Sequence, residues 1–375
     1  MTEVARVGDD EVDASDIATL FDRTRLRMAR ELRGYSQVEL AREVGTVTPA
    51  SLSQFENGHA RPAAPTLRRL SVALGVPLAF FATPARSVPA EPVNGFFRSL
   101  RSTAPRDRHR ALAYVQLAHE LTLELEKFVK LPEVNLPRTD LSKRVATRKD
   151  IAAAANKVRE RWSIPPGPID DLVRTLERHG IVTTRFCVGM DDVDAFSVAF
   201  PVRPIIALGA DKGYRDRSRF DAAHELGHLV MHSAGQIGSK AIESEADQFA
   251  AEFLMPEDDI RSELPVRADW PVLIRLKAKW HVSIASLIVR AKTLQVMDER
   301  AYGQAWKTLS ARGWRKREPG DLGPPESPIL LRRALQVATE TGVTLEALIE
   351  RARLPEGDIR IILGHIHDPR PRVEL

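Results

Sequence analysis

The stretch RFDAAHELGHLVMH, residues 219–232, sets His224 and His228 four residues apart with Glu225 between them. On a helix, residues four apart differ by only about 40° around the axis, so both imidazoles point the same way and can bind one ion. A catalytic zinc needs a third protein ligand and a coordination place left for water. With Cys187 the only cysteine in the chain, a carboxylate has to supply that ligand. Downstream, IESEADQFAAEFLMP (242–256) reads as a second helix whose buried stripe is Ala246, Phe249, Ala250 and Phe253. Glu243 and Asp247 share another of its faces. Glu243 is the expected third ligand, and Asp247, one turn on, is placed to accept a ring N–H from a ligand histidine and fix its tautomer. Glu245 is the competing ligand, but it points about 200° away from Glu243. Glu225 projects beside the ion and is the expected acid/base, taking a proton from the attacking water and returning it to the leaving amine. Two imidazoles and a carboxylate suit Zn2+, although manganese or iron could occupy the same ligands. The reaction class this implies is peptide-bond hydrolysis. His232 reads either as a further metal group or as a local hydrogen-bond partner, the latter favoured because it lies about 6 Å further along the axis from His228.

Three β-rich segments precede this pair of helices: IVTTRFC, AFSVAF and PIIAL, the last two alternating around Pro201 to Pro204. AFSVAF could align an extended peptide by strand addition. His179, His232, Tyr214 and Arg219 are the candidates for stabilising an oxyanion, and Cys187 reads as a small buried apolar residue.

A second constellation lies near the start of the chain, in RELRGYSQVELAREVGTVTPASLSQFENGHARP (30–62). Ser36 can cap a short helix with Val38, Leu40, Ala41 and Val44 on its inner face, and Gly45 allows a turn. Thr48 followed by Pro49 then starts a second helix that buries Leu52 and Phe55 and stops at Asn57 and Gly58. That is helix-turn-helix spacing. The second helix would present Ala50, Ser51, Ser53 and Gln54 to base edges. Nine arginines in this region (Arg23, Arg25, Arg27, Arg30, Arg33, Arg42, Arg61, Arg68, Arg69) face six acids, a weak attraction for phosphate.

Over about 65 residues this region resembles the phage-repressor (Cro/Xre) helix-turn-helix family, with RxxRGxSQxxLA followed by SxxExGxxxP. The resemblance implies an ion pair between Arg30 and Glu56, phosphate contacts from Gln37 and Asn57, and base reading by Gln54. Thr48, Ser51 and Ser53 complete the candidate DNA-binding set. The turn GTVTP is one residue longer than the family's, and Pro49 and Ala50 stand where many relatives carry base-bonding glutamines. DAFSV, RFDAAHELGHLVMH and ESEADQFAAEFLMP together resemble the ImmA/IrrE family of zinc metallopeptidases across about residues 150–300. That resemblance implies His224, His228 and Glu243 as ligands, Glu225 as catalytic acid/base, and a helix-turn-helix repressor as the kind of protein cut.

The organisation follows from these anchors. The chain has 375 residues, 43% of them hydrophobic, enough for two or three cored domains; its 25 prolines and 6% aromatics point to helix-rich units. The expected fold is mainly α with a small β-sheet (α+β). A polar leader (1–15) precedes a five-helix DNA-binding domain (16–84), a linker with an amphipathic helix ending near Phe128 (85–146), a zincin-like metallopeptidase domain (147–300) and a helical C-terminal region (301–375). The basic run Arg98 to Arg110 reads as a solvated face, and the last helices as packing or dimer elements. A net charge of +4 cannot by itself argue for nucleic acid. The acidic start MTEVARVGDDEVDASD lacks the pattern of a signal peptide, and no apolar run reaches the roughly 18 residues of a membrane span, so a cytoplasmic protein is expected. The functional expectation is a transcriptional regulator that binds operator DNA as a homodimer and cuts a protein partner. A metal- or ligand-sensing regulator without turnover, and the antitoxin of a toxin–antitoxin pair, are the alternatives.

Overall fold

A computed structural model describes residues 14–83, 104–139, 141, 146–186, 195–209, 214–232 and 239–364. The linker at 84–103 with Arg98 and Arg101, most of the leader, Cys187 and Asp194 lie outside the described residues. Five helices open the chain, as the hydrophobic spacing requires: α1 Ala14–Thr19, α2 Arg23–Arg33, α3 Gln37–Val44, α4 Pro49–Asn57 and α5 Ala64–Leu74, followed by a 3-10 turn, Leu78–Ala82. Ser36 and Glu39 form a reciprocal capping box on α3. Gly45 ends α3 at φ +72°, the left-handed conformation that reverses the chain, and Thr48 accepts from Ser51 N to start α4.

Helix α6 spans Pro105–Leu125. Ala111, Tyr114, Leu117, Ala118, Leu121 and Leu125 share one apolar core with the five N-terminal helices. Its polar side is buried too. Glu120 pairs with Arg25 at 2.9 Å, His119 stacks on Phe200 at 4.0 Å, and Glu124 meets Arg351 at 3.2 Å. Partners supplied from other elements replace the water that this face would otherwise need. In the described part of the basic run, Arg106 is exposed with Nη1 3.3 Å from Glu39, and Arg110 Nε donates to Leu32 O at 3.1 Å.

Helices α7 (Arg148–Arg161) and α8 (Leu172–Arg178) lead into a three-stranded sheet of β1 (Val182–Phe186), β2 (Ala195–Val198) and β3 (Ile205–Gly209) in the order β1-β3-β2. β3 runs parallel to β1 and antiparallel to β2. The alternation in AFSVAF and PIIAL separates two cores rather than core from solvent. Phe196, Val198, Ile205 and Ala207 face the α6 core, while Ala195, Ile206 and Leu208 face a second core. This second core is roofed by α9 (Arg215–Met231) and α10 (Lys240–Leu254).

Beyond a short turn, α11 (Glu257–Ile260), helices α12 (Trp270–Trp280), α13 (Ile284–Thr293) and α14 (Glu299–Ala311) extend the second core. The last three, α15 (Leu330–Glu340), α16 (Leu345–Ala352) and α17 (Glu356–Ile362), return to the first core against α6. They act as packing elements: Asp358 receives both Nη1 and Nη2 of Arg33 at 2.7 Å and the Tyr114 hydroxyl at 3.0 Å. Among the described residues no helix is long and apolar enough to cross a membrane.

Candidate metal centre and DNA-facing helix

The i, i+4 spacing on α9 brings His224 Nε2 and His228 Nε2 to 3.0 Å from each other. From α10, Glu243 Oε2 comes to 3.4 Å of His224 Nε2 and 3.9 Å of His228 Nε2. The one ligand atom that each residue offers lies within 4.8 Å of the other two. The helices can approach this closely because Gly227 faces α10; a Cβ there would stand 2.9 Å from Phe249 Cδ1. His228 and Glu243 are buried and His224 is half-buried at the rim.

These groups fit a cation on chemical grounds. Glu243 Oε1 is buried and accepts no hydrogen bond. His224 donates from Nδ1 to Asp247 Oδ1 at 2.8 Å, which leaves its Nε2 bare when the ring is neutral. A second imidazole nitrogen and a carboxylate oxygen then crowd the same point, and an electron-pair acceptor has to sit among them. Where no ion is held, a proton takes that part. Burial opposes charge on His224, but hydrogen bonds to Asp247 and Glu243 outweigh it and push its pKa up to about 10.

Glu225 is 3% exposed, and its Oε2 accepts from Ser197 Oγ on β2 at 2.7 Å. Burial raises its pKa to about 7, against the attraction of His224 and the Ser197 hydrogen bond, so the carboxyl is poised to hold or release a proton near neutrality. Sequence reading overlooks Ser197. The available signal is a lone hydroxyl in an otherwise apolar strand.

Glu245, the competing ligand, is turned away from the cluster: Oε2 pairs with His232 Nε2 at 3.0 Å and Oε1 accepts from Ala146 N at 3.4 Å. His232 in turn lies beside His228, Nδ1 to Nδ1 at 3.0 Å, in hydrogen-bond contact with that ring. Of the oxyanion candidates, His179 stacks on Trp162 at 4.4 Å, and Arg219 is committed to Glu326 and to Ile169 O. Tyr214 stands ten residues before His224 at the start of α9, about 15 Å along the axis. Beside Asp247 opens a cavity of about 400 Å³ lined by Phe220, Ile151, Ala251, Met255 and Val289, room for an apolar side chain.

On the N-terminal domain, Arg30 grips Glu56 with two bonds, Nε to Oε1 at 2.6 Å and Nη2 to Oε2 at 2.9 Å. Gln37 Nε2 donates to Glu56 Oε2 at 3.0 Å, so the amide is held against this pair at the start of α3. On α4, Gln54 and Asn57 are exposed, Ser51 and Ser53 half-buried, and Thr48 is exposed at the N-cap. Asn57 Nδ2 donates to Ser53 Oγ at 3.2 Å, while Thr48 and Ser51 share a hydroxyl contact of 2.9 Å. Of the nine arginines, Arg25, Arg30 and Arg33 are spent on Glu120, Glu56 and Asp358; the other six are exposed.

Comparison with known families gives two matches. Residues 176–292 match the model of the IrrE N-terminal-like domain, a peptidase domain, and residues 26–81 match that of the helix-turn-helix. No curated protein matches the chain.

Proposed function

From a chain that joins a DNA-binding helix-turn-helix to an IrrE N-terminal-like peptidase domain, we propose a cytoplasmic transcriptional regulator with a built-in zinc endopeptidase. The observation that carries the peptidase reading is the meeting of His224 Nε2, His228 Nε2 and the carboxylate of Glu243, whose Oε1 accepts no hydrogen bond, beside a buried acid, Glu225. These three side chains would hold Zn2+, which when bound supplies Lewis-acid polarisation of a peptide carbonyl and of water. Asp247 orients His224 from behind. Glu225 takes the proton of the attacking water and returns it to the departing amide nitrogen, with Ser197 holding its carboxylate in place. The substrate is a protein segment, of which a helix-turn-helix repressor is the first candidate. On the DNA side, α4, capped by Thr48, enters the major groove with Ser51, Ser53 and Gln54 toward base edges, and Gln37 and Asn57 fix its register on the phosphates. A homodimer reading a two-fold operator suits this domain.

The test offers purified helix-turn-helix proteins, this chain among them, to the zinc-loaded protein and to its Glu225→Gln variant. The parent cuts and the variant, with its zinc retained, does not. Equal cleavage by both would remove Glu225 from the chemistry, and zinc binding without cleavage of any candidate would leave a sensor. That second reading draws support from the core that runs unbroken from the DNA-binding helices through α6 to the sheet beneath α9.

A further inference from the structure

We infer that His232 and Glu245 form a positioning relay that fixes the tautomer of His228 and so turns its Nε2 lone pair toward the metal. The inference rests on the metal-binding reading above and adds two residues to it. Glu245 comes from α10 and His232 from the residue that follows α9, and they meet behind the ligand shell.

Donors and acceptors alternate along a chain of three groups. A carboxylate only accepts, so the 3.0 Å contact between Glu245 Oε2 and His232 Nε2 places a hydrogen on that nitrogen. A neutral imidazole that carries its one hydrogen on Nε2 has a bare Nδ1. That bare nitrogen faces His228 Nδ1 at 3.0 Å, and two lone pairs cannot share a contact of this length. His228 therefore carries its hydrogen on Nδ1. Its Nε2 is left as the free electron pair, and this is the nitrogen that looks toward His224 Nε2 and Glu243.

The surroundings keep this arrangement single-valued. The side chains of His228 and His232 are 0% and 1% exposed, so water cannot substitute for either partner. Glu245 is anchored through its other oxygen by Ala146 N. Earlier in the chain, Thr139 N donates to Val230 O at 2.8 Å and Leu141 N to Met231 O at 3.0 Å, at the end of α9. His224 has the shorter counterpart of this device in Asp247. Each ligand imidazole thus has its own orienting acid, one in direct contact and one through an intervening histidine.

Two variants of the full chain separate positioning from mere packing. His232→Leu keeps the bulk and removes the acceptor, whereas His232→Asn keeps an acceptor oxygen close to the site of Nδ1. Zinc dissociation constants are measured by competition with a chromophoric chelator, and the imidazole tautomers of the metal-free proteins are read by long-range 1H–15N NMR. His232→Leu should weaken zinc binding by about 10- to 100-fold, and His232→Asn should recover most of the loss. The parent and the Asn variant should show His228 as the Nδ1–H form, and the Leu variant a mixture. Unchanged zinc affinity in His232→Leu, or an Nε2–H form of His228 in the parent, would overturn the relay. A parent that binds no zinc would sink the metal reading, while the NMR arm would still decide whether the relay exists.

Discussion

Glu31 shows how single residues set the pH response of this protein. It is a partly buried acid on α2, and burial lifts its pKa to about 7 against the pull of Arg30 and Arg27. A carboxyl whose pKa rises on folding costs stability as the pH climbs from its ordinary value to its folded one, because the unfolded chain gives up the proton first. Glu31→Gln removes that cost. The melting temperature of the variant should therefore exceed that of the parent by more at about pH 8 than at about pH 5, and an equal difference at both would show that Glu31 is solvated. At the same scale, the residues legible from the sequence are those related by helix period: His224, His228, Glu243 and Asp247 need only the 3.6-residue repeat to be placed on two faces. Ser197 and the pairing of Glu245 with His232 were not legible. They depend on how a strand and a loop cross the helices, which no local spacing encodes.

Between elements, the contact of α9 with α10 decides whether the three ligand atoms meet. Gly227 lies where the helices press closest, with Phe249 fully buried against it. Gly227→Ala should force the helices apart by a few tenths of an ångström, destabilise the protein by about 1–3 kcal/mol and weaken zinc binding. Unchanged zinc affinity by chelator competition would mean that the ligand cluster does not depend on this spacing. On the DNA side, α4 is short, and Pro49 and Ala50 bring no amide to its first turn, so the proposed base reading assigns discrimination largely to Gln54. With an operator selected from random duplexes, Gln54→Ala should lose about 1–3 kcal/mol of preference at one base pair. Arg42→Ala, an exposed cation on α3, should weaken all duplexes alike and flatten the salt dependence. A uniform loss from Gln54→Ala in binding assays would count against a base contact. The helices and strands themselves were readable from caps, prolines and periodicity. The burial of α6 was not, because the acids on its polar face pair with Arg25 and Arg351, residues distant in the chain.

In the whole molecule the sheet is a partition between two cores, one carrying the DNA-binding helices with α6 and α15 to α17, the other carrying the metal cluster. The helix-turn-helix is therefore built into the body of the protein: Arg25 and Arg33 find their acids, Glu120 and Asp358, on α6 and α17. Cut away as residues 1–85, it loses both pairs and the apolar surface of α6. Its melting temperature by circular dichroism should fall well below that of the same helices in the full chain, and an equal value would show an independent domain. The fused pair of domains was legible from two motifs, but their physical union was not, since it rests on contacts across more than 300 residues of sequence, as between Arg33 and Asp358. The central claim is that two imidazoles and one carboxylate share a single ion. Anomalous diffraction from crystals of the zinc-loaded chain tests it most directly. One zinc peak about 2.0–2.2 Å from His224 Nε2, His228 Nε2 and a Glu243 oxygen is the result expected. A peak elsewhere, or none between these three side chains, would contradict it.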